Sequence, residues 1–133
     1  MGSRSKAREQ ALQVLYLVDL AGTATDKALE LFRSNFESQD DETVFTNHLV
    51  KGVVEHHLQI DALIEQNSEH WRLSRMPRID RNILRLGTFE LKYCPDTPPA
   101  VAIDEAIELS KKFGEGKTAA FVNGILDRIS RRN

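Results

Sequence analysis

Five arginines, Arg72, Arg75, Arg78, Arg81 and Arg85, crowd one short stretch of this chain beside a single acid, Asp80. Guanidinium groups are planar forks of donors matched to carboxylate and phosphate oxygens, so such a density commonly faces an anion. The bland alternative is a solvated helix face with local ion pairs. At about 100° per residue, Ile79, Ile83, Leu86 and Tyr93 fall on one broad face, with Arg78, Arg81 and Arg85 lined up beside it. The spacing therefore predicts a helix over Arg78–Tyr93 that buries one stripe and offers cations along another. Glu90 lands on the apolar stripe, and a carboxylate there must find hydrogen bonds or a cation. It reads as a structural anchor, held by backbone donors or by a basic side chain across the helix junction.

Two aromatic residues share flanks with cations. Arg8, Leu12 and Tyr16 recur four residues apart at the edge of a first helix, which places an exposed basic residue and an aromatic on one side. Phe121 lies off the centre of the last apolar stripe, near Lys117, Gly124 and Arg128. Arg4, Lys6 and Arg8 open the chain, and Arg128, Arg131 and Arg132 close it. Aromatic faces beside cations suit single-stranded RNA, where bases stack for about 1–3 kcal/mol each and phosphates pair with cations. Taken singly, each ring fits equally well at the edge of a core.

Other chemistry finds little footing. Gly116-Lys117-Thr118 resembles the tail of a phosphate-binding loop, but that loop needs glycine at 111, which is lysine, and a preceding strand. His48, His56, His57 and His70 include no pair four apart on one helical face and no cysteine at zinc spacing. Asp104, Glu105 and Glu108 outline a helix exterior, and no serine or cysteine has the setting of a nucleophile. Nothing here supports an enzyme.

The elements that must position these residues all read as helical. Ser5–Ala21 is closed by Gly22; a second helix capped by Thr25 or Asp26 buries Leu29, Phe32 and Phe36. Ser38–Asp41 reads as a polar loop. Phe45, Leu49, Val53, His56, Ile60 and Leu63 carry a long helix from about Glu42 past Ile64, with a possible break between His57 and Asp61. Asn67–Pro77 loses the pattern and becomes the connection into the arginine helix, with Trp71 as a plug between two bundles. Cys94-Pro-Asp-Thr-Pro-Pro99 ends that helix and delays the next to Ala100. Ile103, Ala106, Ile107, Ser110 and Phe113 form an amphipathic helix closed by Gly114. The last helix, from Thr118, buries Val122, Ile125, Leu126 and Ile129. No strand-period alternation stands out, so the fold class is all-α.

A chain of 133 residues reads as one domain, able to bury its own core without a metal or disulfide staple. Its single cysteine, Cys94, fits a reducing compartment, and no apolar run approaches a membrane span, so a cytoplasmic location is expected. The net charge of −2 and pI near 6.1 exclude a generally basic nucleic-acid coat. Acids concentrate between Asp19 and Glu42. Should the chain ends meet the arginine helix, one basic face would stand on an acidic molecule.

In order and spacing, Ala7-Arg-Glu-Gln-Ala-Leu-Gln13, Ile79-Asp-Arg-Asn-Ile-Leu-Arg85, Phe89-Glu-Leu91, Asp104-Glu-Ala-Ile-Glu-Leu109 and Phe121-Val-Asn-Gly-Ile-Leu126 closely resemble the bacterial transcription antitermination factors of the NusB family, from about residue 4 to the end. The resemblance implies two small helical bundles set across one another, about 4–70 and 77–133, with about seven helices in one RNA-binding domain. It also implies no catalysis, no cofactor and no metal. The implied partners are NusE, a small-subunit ribosomal protein, the boxA element of ribosomal RNA leader transcripts, and an RNA polymerase antitermination complex; some relatives form a homodimer. The implied RNA-binding residues are Arg4, Lys6, Arg8, Tyr16, Arg81, Arg85 and Phe121. The basic arm is thinner here than in arginine-rich members, because Ser5 interrupts it. A related domain begins certain ribosomal RNA cytosine methyltransferases, whose glycine-rich cofactor loop has no counterpart in this sequence.

Overall fold

The computed structural model describes residues 3–35, 40–69 and 71–132, and every regular element among them is helical. The helices are α1 (Ser3–Ala21), α2 (Thr25–Asn35), α3 (Asp40–Glu55), α4 (His57–Gln66), α5 (Arg78–Tyr93), α6 (Pro99–Phe113) and α7 (Thr118–Arg131). A short 3₁₀ turn, Leu73–Arg75, interrupts the passage from α4 to α5. The most extensive packing joins α1 to α3 and α6 to both α5 and α7, while α5 also touches α1, α3 and α4. The first three helices and the last three thus form two groups, with α5 along their junction.

That position changes how α5 is read. Its apolar stripe is present, with Ile83 and Leu86 buried and Ile79 and Tyr93 half-buried, yet burial extends well beyond one face. Asn82, Ile83, Leu84 and the whole run Leu86–Glu90 are buried, because helices lie on several sides of them. A helix enclosed this way is a core element rather than a surface amphipath. Between residues 82 and 90, only Arg85 keeps partial access to solvent.

Close approach has its own signatures. A Cβ on Gly52 of α3 would stand 2.1 Å from the Phe89 ring, and one on Gly87 of α5 would stand 2.6 Å from Leu126 of α7. Glycine inside a helix costs up to about 1 kcal/mol against alanine. Here it allows α5 to press against α3 on one side and α7 on the other. At the end of α1, Gly22 takes φ +67°, the left-handed geometry expected of the residue closing that helix.

Several boundaries differ from the sequence expectations for physical reasons. Thr25 is the first residue of α2 rather than its cap, and Asp26 sits in the first turn, where a negative charge meets the positive helix end. Asp41 lies inside α3 rather than in a loop; Ser38 and Phe36 fall outside the described residues. The break in the long helix comes at His56, which takes φ −105° and ψ 20° between α3 and α4. α6 begins at Pro99, one residue before Ala100, since proline is tolerated where the first helical N–H has no partner. Trp71 is not a plug: it is 52% exposed, and Leu73 and Met76 are buried in its stead. Arg128 Nε donates to the Asn67 carbonyl at 2.9 Å, tying the connection to α7.

Candidate nucleic-acid interface

α1 and α5 run against one another, and two clusters of charged groups join them. At one end Arg8 is buried, only 5% exposed, which corrects the exposed flank expected of it. Its Nε and Nη2 donate to the Glu90 carboxylate at 2.9 and 2.7 Å, and its Nη1 donates to Glu105 of α6 at 2.8 Å. Glu90, itself 2% exposed, has thereby found the cross-junction basic partner that its place on the buried stripe demands. Burial opposes the charge on Arg8, but hydrogen bonds and charges from Glu90 and Glu105 outweigh it and push its pKa up. Arg4, one turn earlier, remains exposed and lies with its guanidinium carbon 4.4 Å from the centroid of Phe45; Lys6 is exposed.

At the other end of α5 stands Asp19, from the last turns of α1. Arg81 donates to both its oxygens in a fork, Nε to Oδ2 and Nη2 to Oδ1, each at 2.7 Å. Asn82 Nδ2 donates to Oδ2 at 2.9 Å, and Arg85 Nη1 reaches the same oxygen at 3.3 Å. Arg85 makes its own fork on Asp61 of α4, at 2.9 and 3.2 Å. Burial raises the Asp19 pKa, but the bonds from Arg81 and Asn82 and the nearby positive charges more than reverse this, leaving it below the usual carboxylate value. The bond to Asp19 raises the pKa of Arg81 against a smaller effect of burial. The Arg81 and Arg85 side chains are 13% and 19% exposed, whereas that of Arg78, 4.0 Å from Asp19, is 44% exposed.

Phe121 belongs to a different part of the surface. It lines an apolar cleft of about 510 Å³ with Trp71, Met76, Pro77, Asp80, Lys117 and Thr118. Thr118 Oγ1 accepts from the Glu115 N–H and donates to Asp80 Oδ1 at 3.1 Å, joining the start of α7 to the start of α5. Burial pushes the Asp80 pKa up against the bond from Thr118. Tyr16 is half-buried on α1. The structure therefore brings Arg81 and Arg85 together, and Arg4 with Arg8, but sets Phe121 in a cleft that neither pair lines.

Sequence reasoning missed the acids that hold the arginines, Asp19, Asp61 and Glu105, and the exposed ring of Trp71. Their one sequence trace is that Asp19 and Asp61 sit at helical spacing from buried residues, at the margins of their stripes. Cys94 is buried with its thiol 3.7 Å from His48 Nε2, and burial raises its pKa to about 11, which keeps it protonated and poorly nucleophilic. Among the described residues no group of three or more His, Cys, Asp or Glu is placed to hold a metal, and no helix is long and apolar enough to cross a membrane.

The NusB family profile matches residues 5–131. The chain belongs to the NusB family. It is 52% identical to the transcription antitermination protein NusB of Myxococcus xanthus, across 98% of this chain and 96% of that protein. The Geobacillus kaustophilus NusB is 45% identical, across 95% and 94%. Among solved structures, T. maritima NusB superposes with a TM-score of 0.88 at 34% identity, across 96% of this chain and 90% of that one. The NusB chain in a complex of the antitermination factors NusB and NusE with double-stranded RNA gives 0.87 at 30% identity, across 97% and 96%. The all-helical NusB architecture of paired bundles is thus shared by this chain.

Proposed function

We propose that this NusB-family chain is an RNA-binding transcription antitermination factor that acts with NusE on the boxA element of ribosomal RNA leader transcripts, in the cytoplasm, as part of an RNA polymerase complex. It works by binding and does no chemistry on its RNA. The observation that carries this reading is the likeness, over nearly the whole of both chains, to a NusB solved together with NusE and RNA. The surface supports it with exposed cations at Arg4 and Lys6, a partly open aromatic at Tyr16, and the cleft in which Phe121, Trp71 and Lys117 meet. Buried Arg8 serves this surface by holding the start of α1 against α5 and α6.

Titration of a boxA-like RNA at several salt concentrations, with and without NusE, tests the reading. Binding should weaken steeply as salt rises. Tyr16→Ala and Phe121→Ala should each weaken it by about 1–3 kcal/mol, the worth of a stacked base, with the fold retained. Saturable NusE binding with no dependence on RNA would instead make the chain a protein-interaction module, and RNA recognition would be withdrawn.

A further inference from the structure

We propose that Asp19 sets how strongly this face takes RNA, as an internal carboxylate seated where a phosphate would otherwise sit on Arg81 and Arg85. This rests on the RNA-binding reading and adds to it a residue that regulates affinity.

The geometry is that of an anion site already filled. Both Asp19 oxygens sit in the Arg81 fork at 2.7 Å, and Oδ2 also receives Asn82 and Arg85. The same planar fork binds carboxylate and phosphate, so an incoming phosphate competes for donors that Asp19 already occupies. Three guanidiniums, of Arg78, Arg81 and Arg85, face two carboxylates, of Asp19 and Asp61, which leaves an excess of one positive charge. The excess is best expressed at Arg78, the most exposed of the three and the one farthest from Asp19. Asp61 forms its ion pair with Arg85, whereas Asp19 reaches all three arginines. Asp19 is therefore the shared counter-ion, and removing its charge frees the most cationic surface. The cluster is not sealed: Asp19, at the end of α1, and Asp61 retain some solvent access, unlike the pair of Arg8 and Glu90.

Asp19→Asn preserves the shape and leaves an amide oxygen to accept from Arg81, but deletes the charge. Wild-type chain, Asp19→Asn, Asp61→Asn and Asp19→Asn/Arg81→Gln would each be titrated with a labelled single-stranded boxA-like RNA across a salt series, with thermal unfolding recorded for all. Asp19→Asn should bind at least about threefold more tightly at low salt, with a log–log salt slope steeper by about 0.7 for each further phosphate engaged. Asp61→Asn should give a smaller gain, and Arg81→Gln should cancel the gain of Asp19→Asn. A folded Asp19→Asn that binds RNA as the wild type does, or more weakly, overturns the proposal while RNA recognition stands. Should Asp19→Asn fail to fold, Asp61→Asn decides: tighter binding supports the competition and unchanged or weaker binding overturns it. Absence of RNA binding by the wild type and every folded variant overturns both this proposal and the RNA-binding reading.

Discussion

The two charged clusters between α1 and α5 use the same chemistry to different ends. At the Arg8 end, one guanidinium forks onto the buried Glu90 and also reaches the partly exposed Glu105, and the balance is negative. At the Asp19 end, three guanidiniums meet two carboxylates with solvent at hand, and the balance is positive. Removing one member of a buried pair strands the other charge, whereas a partly exposed cluster can exchange a partner for water or for a ligand. The first cluster is therefore suited to fixing the helix junction, and the second to meeting an anion from outside.

The largest expected effect breaks the Arg8 cluster. Glu90→Ala should lower unfolding stability by about 1.5–3 kcal/mol in chemical denaturation, because Arg8 loses its forked partner inside the protein and keeps only its bond to Glu105. A loss below about 1 kcal/mol would mean that the two clusters are energetically alike. A smaller effect separates them by pH. The folded-state pKa of Asp19 lies below its ordinary 3.8, so the stability it contributes is complete above that value and is lost as pH falls through the lower, folded-state one. The gap in stability between wild type and Asp19→Asn should accordingly shrink under acid conditions; a gap independent of pH would detach Asp19 from the ion network. The smallest effect is a control on an ordinary surface pair: Arg131→Ala, which removes an exposed i,i+4 contact to Asp127, should change stability by less than about 0.5 kcal/mol.

The same contrast explains what could be read in the sequence. Helical period gave the helices, and the placement of Glu90 on a buried stripe was enough to require a cation across a junction, which Arg8 supplies. Periodicity speaks only of one helix against its own axis. It could not show that α5 is enclosed by helices on several sides, nor that Arg81 and Arg85 find their acids more than twenty residues away, on α1 and α4. Gly52 was a legible but unused signal, since a glycine in the middle of a helix with no capping role implies close approach, here of Phe89. Trp71 misled because a large aromatic in a connection is ordinarily read as buried. Leu73 and Met76 fill that space instead, and the indole is left at the mouth of the Phe121 cleft. Of the residues marked for RNA, Arg4, Lys6, Tyr16 and Phe121 keep at least partial access to solvent, Arg81 and Arg85 keep some access while held by Asp19 and Asp61, and Arg8 is committed to the interior.

The most direct test of RNA recognition is a two-dimensional NMR titration of the isotopically labelled chain with boxA-like single-stranded RNA, following backbone amides and arginine Nε–H groups together. Shifts are expected at Arg4, Lys6, Tyr16, Lys117 and Phe121, with a graded response at Arg81 and Arg85 and a stationary Arg8 Nε–H. A large shift of Arg8 Nε–H together with silent amides around Phe121 and Lys117 would contradict this reading.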